Sequence, residues 1–458
     1  MSQGVNPLVA VIGGGLAGCE CAWQLAKAGI SVQLYERRPK SMSEAHKTGD
    51  LAELVCSNSF RAKSVENAVG LIKEEMRRIG SLIMTAADQS NVPAGGAQAV
   101  DRERFAAKVT QAIEDNERIE VIRDEIPSLA DSRLTKADAI VVATGPLTAS
   151  ALAKDLVERT GKERLYFYDA IAPVIEADSI DYDVIFRQSR YDKGGDDYLN
   201  CPMDEETYNT FIDDLLTAEA IPLHATDEAK FFPGCQPIEE IARQGRMTPA
   251  FGPMKPVGLT DPRTGKRPFA VVQLRVENLE GTAFNMVGFQ TRLKYPEQQR
   301  VFSKIPGLEE ACFLRLGSIH RNTFVDSPRL LDTNLRLKSE PRLRFAGQIT
   351  GVEGYVESTA CGLIQGVLTA AEILGQEIAL PPRESALGAM MAHLKNDTVP
   401  DFQPSNIHWG HFPALGRTEK NLPRGRKGRA ARRSAMSERA LLAVDNWIKD
   451  SLSQLDNQ

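Results

Sequence analysis

The sequence predicts an α/β protein: a Rossmann-like parallel sheet interrupted by an inserted α+β domain. Three observations predict it. The chain opens with a buried strand, a glycine turn and a helix, in PLVAVIGGGLAGCECAWQLAKAG. A second strand, glycine loop and long helix, RLRFAGQITGVEGYVESTACGLIQGVLTAAEIL, occupies residues 342–374. Between them, residues 165–310 are richer in Pro, Gly and aromatics, with strand-like runs at 269–276 and 283–289. The 458 residues suffice for two or three domains. If the late run completes the opening sheet, the first domain is discontinuous, 1–175 and 310–458, and 176–309 is the insertion.

The elements follow in order. Leu8–Ile12 is a continuous apolar run, as expected of a parallel strand buried on both faces. A helix follows at about Ala17–Ala28, and ISVQLYERR is a second strand ending at Glu36. Residues 46–60 read as loop. Residues 68–87 predict one amphipathic helix with Leu71, Met76, Ile79 and Ile83 on its apolar stripe. Residues 101–115 predict another helix, and ADAIVVATGPL (137–147) a buried strand stopping at a glycine. Residues 415–433 hold eight basic side chains and one acid, which fits either a solvated segment or a phosphate-binding arm. A closing helix is expected over 434–450.

Composition narrows the class. Apolar residues are 42% and charged residues 25%, as in ordinary globular proteins. The formal charge of −6 gives no global basic field, so any nucleic-acid contact needs a local patch. The seven cysteines are odd in number, no CxxC occurs, and Cys19 and Cys21 have no neighbouring metal ligands. Neither a disulfide scaffold nor a metal site is expected. The N-terminus carries no signal-like segment, and no apolar run reaches the ~18 residues a membrane span requires. The expected setting is the cytoplasm, with reduced thiols and no membrane partner.

Gly13-Gly14-Gly15-Leu16-Ala17-Gly18 fits G-x-G-x-x-G between a strand and a helix. Such glycines let the backbone approach a pyrophosphate at the helix N-terminus, and Glu36 at the end of the second strand can accept from ribose hydroxyls. FAD is favoured over NAD by two later signals: the strand ending in Thr144-Gly145, and Gly347-Gln348 in the late glycine loop. No second G-x-G-x-x-G is present. The expected class is therefore a glutathione-reductase-like FAD-binding domain lacking a separate NAD(P)H domain, to which a nicotinamide reductant could bind transiently. Two cysteines stand on shaped loops. Cys56 lies in ELVCSNSFRA, where Ser, Asn and Arg61 would stabilise a thiolate. Cys235 lies in FFPGCQPIEE, between Gly234 and Gln236-Pro237. Their spacing leaves open a flavin dithiol oxidoreductase and a nucleophile with a helper. His46 and His320 are candidate donors or acceptors near the flavin.

Taken together, VIGGGLAGCE, LAELVCSNSFRA, NVPAGGAQAVDR, YDKGGDDYLNCPM, GCQPIEEIARQGR, FGPMKPVGL, HRNTFVDSP and FAGQITGVEGYVESTACGLIQG closely resemble one family. It is the bacterial folate- and FAD-dependent tRNA (uracil-5-)-methyltransferase, and the similarity runs from about residue 8 to 412. The resemblance implies C5-methylation of U54 in the tRNA T-loop, with 5,10-methylenetetrahydrofolate as carbon donor, reduced FAD as carrier and NADH or NADPH as reductant. It also implies roles: Cys235 as the nucleophile at uracil C6, and Cys56 as the cysteine acting near the flavin and on the C5 proton. Ribosomal RNA is the alternative substrate, and monomer and dimer are both compatible. This chain departs from the family pattern at Pro233, Gln236 and Gln98, and its basic tail is longer.

Overall fold

The protein is described by a computed structural model covering residues 7–455, except 44, 161–164, 171, 193–194, 223–235, 279–280, 318, 398–401, 403 and 416–427. The first sheet has six strands. Their order is Arg336–Leu337, Glu340–Phe345, Ala139–Val142, Leu8–Ile12, Ser31–Tyr35, Ile119–Ile122. All its pairs are parallel except the edge pair formed by Arg336–Leu337. The central strand is fully buried from Val9 to Val11, which explains its unbroken apolar run. The late strand Glu340–Phe345 sits beside Ala139–Val142, so the two ends of the chain build one sheet.

Helix Leu16–Lys27 packs along helix Tyr355–Ile373. The approach is closest at Gly362, where an added Cβ would lie 2.2 Å from the backbone oxygen of Ala17. This contact brings the first glycine loop and the late glycine loop to one end of the sheet.

The predicted helix over 68–87 is two helices, Ala68–Ile79 and Leu82–Gln89. Gly80 adopts φ 87°, and Ser81 caps the second helix by accepting from Met84 N. Ser81 Oγ also donates to the buried Glu20 at 2.6 Å. A left-handed glycine followed by a serine cap ends one helix and starts another, although the apolar stripe continues across the break.

The second sheet is antiparallel. Its order is Phe186–Arg187, Tyr198–Met203, Ala270–Val276, Ala283–Met286, Val174–Glu176, Phe313–Arg315. A second core around Phe211, Phe289 and Phe302 lies beneath it. Strands Leu165–Ala170 and Ile319–Phe324 pair with each other on the way into and out of this region. The closing helix spans Arg429–Ser451, and Ser437 Oγ donates to Val65 O at 2.6 Å. The basic stretch 416–427 lies outside the described residues. Among the described residues no helix is long and apolar enough to cross a membrane.

Candidate functional site

The glycine loop is closed by backbone contacts that leave no room for side chains. Gly13 has φ 110°, and its N–H donates to Tyr35 O at 2.8 Å. An added Cβ on Gly18 would lie 1.8 Å from Gly13 O. Gly15 differs: a Cβ there meets nothing within 4 Å, because it faces an open cleft.

The cleft is lined by Gly13, Gly15, Leu16, Ala17, Glu36, Thr144, Gly145 and Gln348 among the residues singled out from sequence. Gly14, Gly18 and Gly347 support it from behind. Gly14 N donates to Glu36 Oε2 at 3.0 Å, and a Cβ on Gly347 would press on Ala17 Cβ at 2.5 Å.

Glu36 is more engaged than a bare ribose acceptor. Oε1 accepts from Arg38 N and Nε, both at 2.9 Å, and Oε2 from Gly14 N and from an Arg38 terminal nitrogen at 3.1 Å. Burial pushes its carboxyl up, but the Arg38 bonds and charge outweigh burial and hold it below the usual carboxylate range. Arg38 in turn bonds Glu53 at 3.1 Å, which ties the following loop to the cleft. His46 also lines the cleft, with Nδ1 2.5 Å from Ser43 Oγ. Burial first, and Arg38 second, lower it to about 4, so its imidazole is neutral at pH 7.

The Cys56 loop stands beside this cleft and is held by side chains from four other segments. Val55 lines the cleft directly. The N–H groups of Cys56 and Ser57 donate to Tyr355 Oη at 2.7 and 3.2 Å. The carbonyl of Cys56 accepts from Arg102 at 3.0 Å and from Arg315 at 3.1 Å. Arg275 donates to Ser57 Oγ at 3.0 Å and to Asn58 Oδ1 at 2.7 Å. Tyr355 lines the cleft and touches the Cys56 amide, so one phenol joins the two features. Burial, reinforced by Cys56, raises its pKa, and the phenol stays protonated. Arg61 has φ 61°, an uncommon conformation for a non-glycine residue, and pairs with the fully buried Glu357.

Sequence reasoning did not single out Tyr355, Arg102, Arg315 or Arg275. The available signal was the position of Tyr355 just after Gly354, which has φ 100° and opens the long helix. Cys235 lies outside the described residues, as does Pro233; Gln236 is described. The backbone of His320 pairs with Asp169 in the two-stranded ribbon. Gln98 accepts from the fully buried Lys73 at 3.0 Å and donates to Asp88 at 2.7 Å, giving that amine a partner. Cys19 and Cys21 are fully buried in the opening helix, and burial raises both thiols. Among the described residues no group of His, Cys, Asp and Glu could hold a metal.

Comparison with known proteins agrees with this architecture. The family model described as Glucose inhibited division protein A matches residues 8–377. The chain is 53% identical over 451 residues to the methylenetetrahydrofolate--tRNA-(uracil-5-)-methyltransferase TrmFO of Syntrophotalea carbinolica, covering 98% of this chain and 95% of that relative. It is 55% identical over 442 residues to the protein of the same name from Geobacter sulfurreducens, covering 96% and 98%. Among solved structures, GidA of Aquifex aeolicus (form II crystal) superposes with a TM-score of 0.67 at 18% identity, covering 98% of this chain and 74% of that one. That likeness is one of fold. The match over most of the chain and the near-full-length identity place this protein in the glucose inhibited division protein A family, among the relatives named TrmFO.

Proposed function

We propose that this protein methylates a uracil at C5 in tRNA, at U54 of the T-loop, using 5,10-methylenetetrahydrofolate as carbon donor, FAD as bound cofactor and NADH or NADPH as electron source. The observation that carries the reading is the junction at Tyr355. A cleft at the G-x-G-x-x-G loop and a cysteine loop share that phenol, in a chain whose near-full-length relatives carry the methyltransferase name.

The residues present fit FAD. Gly15 leaves open space at a helix N-terminus, where a pyrophosphate is favoured. Thr144, Gly145 and Gln348 would hold the cofactor along the cleft. Glu36 would meet the ribose by exchanging one of its protein donors for a hydroxyl. When bound, FAD would supply the reducing equivalents that convert a methylene unit to a methyl group.

The chain's own part is nucleophilic and acid–base. Uracil C5 is a weak nucleophile. Addition of the Cys235 thiolate at C6 pushes the ring electrons toward C5, which then attacks the one-carbon unit. Removal of the C5 proton, release of the one-carbon unit from its carrier nitrogen with its reduction, and expulsion of the thiolate restore the ring, and Cys56, in the loop beside the cleft, is assigned that proton. Arg102 and Arg315 fix the loop backbone, and the neutral Tyr355 phenol fixes its N–H groups. The target base must leave its stack to reach these groups.

The test is methyl transfer from labelled methylenetetrahydrofolate to a tRNA transcript and to its U54→C variant. Label in the first and none in the second is expected. Equal label in both overturns the site, and no label in either overturns the activity. Cys235→Ala should abolish transfer while the protein keeps its flavin absorbance; transfer that persists overturns the nucleophile.

A further inference from the structure

Behind the Cys56 loop lies a second cavity, of about 340 Å³. It shares Glu53 and Val55 with the dinucleotide cleft, so the two meet across that backbone. Its volume is at the low end for small-molecule sites.

Three cationic side chains from three parts of the chain come to this cavity: Lys47, Arg102 and Arg315. The two arginines are already fixed. Arg102 donates to Leu54 O at 2.5 Å and Cys56 O at 3.0 Å. Arg315 donates to Val55 O at 3.2 Å and Cys56 O at 3.1 Å. Arg315 Nε is buried and makes no hydrogen bond among the described residues.

Three of the five lining acids already have partners, and for Glu277 that partner is one of the cavity's own cations. Glu277 pairs with Arg102. Glu53 accepts from Arg38, from the N–H groups of Lys47 and Thr48, and from Thr48 Oγ1. Asp101 caps the helix that begins at Arg102 by accepting from Arg104 N. Asp50 and Glu103 remain, and Glu103 is exposed. The cations feel one another. Burial, then Arg315 and Arg102, push the Lys47 amine down, and burial, then Arg102, bring Arg315 to about 10. Like charges gathered on one cavity wall are relieved by an anion.

We infer that this cavity is a subsite for a small anionic group of a cosubstrate, a carboxylate or a phosphate, held by Lys47, Arg102 and Arg315 against the back of the Cys56 loop. The inference rests on the proposed activity, whose two small cosubstrates both carry such groups: glutamate carboxylates on the reduced folate and phosphates on the nicotinamide nucleotide. Planar guanidiniums already anchored by backbone carbonyls are preorganised to receive either. Occupancy would also brace the Cys56 carbonyl from the side opposite the cleft.

Lys47 is the residue to change. It is exposed and is tied into the fold through its backbone N–H, so its substitution leaves the Cys56 clamp intact. The experiment uses the full-length, FAD-loaded protein and its Lys47→Glu and Lys47→Gln variants. Binding of tetrahydrofolate, of tetrahydropteroate (which lacks the glutamate) and of NADPH is titrated for each. Lys47→Glu should weaken its anionic ligand about tenfold, the scale of one charge-assisted contact, and Lys47→Gln less. Weaker tetrahydrofolate with unchanged tetrahydropteroate, which keeps only the benzoate carboxylate, assigns the site to a glutamate carboxylate. Weaker NADPH alone assigns it to a phosphate. Wild-type affinities for all three ligands in both variants overturn the site. The proposed activity is judged separately by wild-type methyl transfer to tRNA, which can fail while these binding shifts stand.

Discussion

Gly18→Ala and Gly15→Ala separate the two duties of the glycine loop. A Cβ on Gly18 would lie 1.8 Å from Gly13 O, and real Cβ atoms essentially never come closer than 3.0 Å. The loop and the helix start must therefore part by at least 1.2 Å, the difference of those two distances. The obstructing atom is backbone, so no side-chain rotation relieves it. Overpacking of this kind costs about 1–3 kcal/mol. The same displacement exceeds the tolerance of a hydrogen bond, and losing one charge-assisted N–H contact to a pyrophosphate costs about 1.5–3 kcal/mol, or roughly 10- to 150-fold in affinity. At Gly15 the added methyl enters open space and strains nothing in the apo fold, but it occupies the volume a phosphate would take. Thermal unfolding of the apoprotein and FAD titration read the two duties apart. Gly18→Ala should lower both stability and FAD affinity, and Gly15→Ala only affinity. A Gly18→Ala apoprotein that melts with wild type and binds FAD equally well refutes the reasoning. So does a Gly15→Ala apoprotein that is destabilised as much as Gly18→Ala.

Three further expectations follow from particular contacts. Tyr355→Phe removes the acceptor of two N–H groups, which costs about 1–3 kcal/mol for a buried unmet donor; methyl transfer should slow by at least tenfold while FAD content is kept, and an unchanged rate would show that the phenol does not position Cys56. Glu75 is fully buried where it accepts from Ala386 N and Leu387 N, and burial raises its carboxyl to about 8. A raised folded-state value means its stabilising contribution is full below the unfolded value, near 4.5, and is lost as pH rises through about 8. Glu75→Gln should flatten the decline of stability across that window, as read by denaturant unfolding at several pH values; an unaltered slope would locate the titration elsewhere. Gly362→Ala should lower the melting temperature, since its Cβ would sit 2.2 Å from Ala17 O between the two packed helices, and an unshifted melt would contradict that contact.

What sequence revealed and concealed follows from the range of the interactions. The glycine loop is legible because its determinants lie within six consecutive residues, and the strand and helix flanking it are read from the same window. The break at Gly80 was not legible from periodicity. Met76, Ile79 and Ile83 are all buried on both sides of it, so the stripe runs on while the backbone turns. The partners of Cys56 were less legible still. Tyr355 is 299 residues away and Arg315 is 259, and nothing local in ELVCSNSFRA points to either. Local residue types suggested a polar loop around the thiol. The fold adds that its carbonyl and amide are both held from outside.

That arrangement bears on why the cysteine loop belongs to two sheets at once. Tyr355 comes from the helix that backs the dinucleotide cleft, and Arg275 from a central strand of the second sheet. Asn58 is fully buried and donates to Val100 O at 3.1 Å and to Val276 O at 3.0 Å, so its amide adds a further bond between the first part of the chain and the second sheet. A shift of either sheet relative to the other must strain these bonds or move the loop. Cys56 is therefore positioned by the relation between the two units rather than by either one. Ligands that bind on both sides of the loop, at the cleft and at the cavity behind it, would act on its position through the same set of bonds. Removing the Asn58 side chain loosens that link while leaving every cleft-lining residue in place, so it should slow methyl transfer more than it weakens FAD binding, and equal losses in both measurements would contradict this.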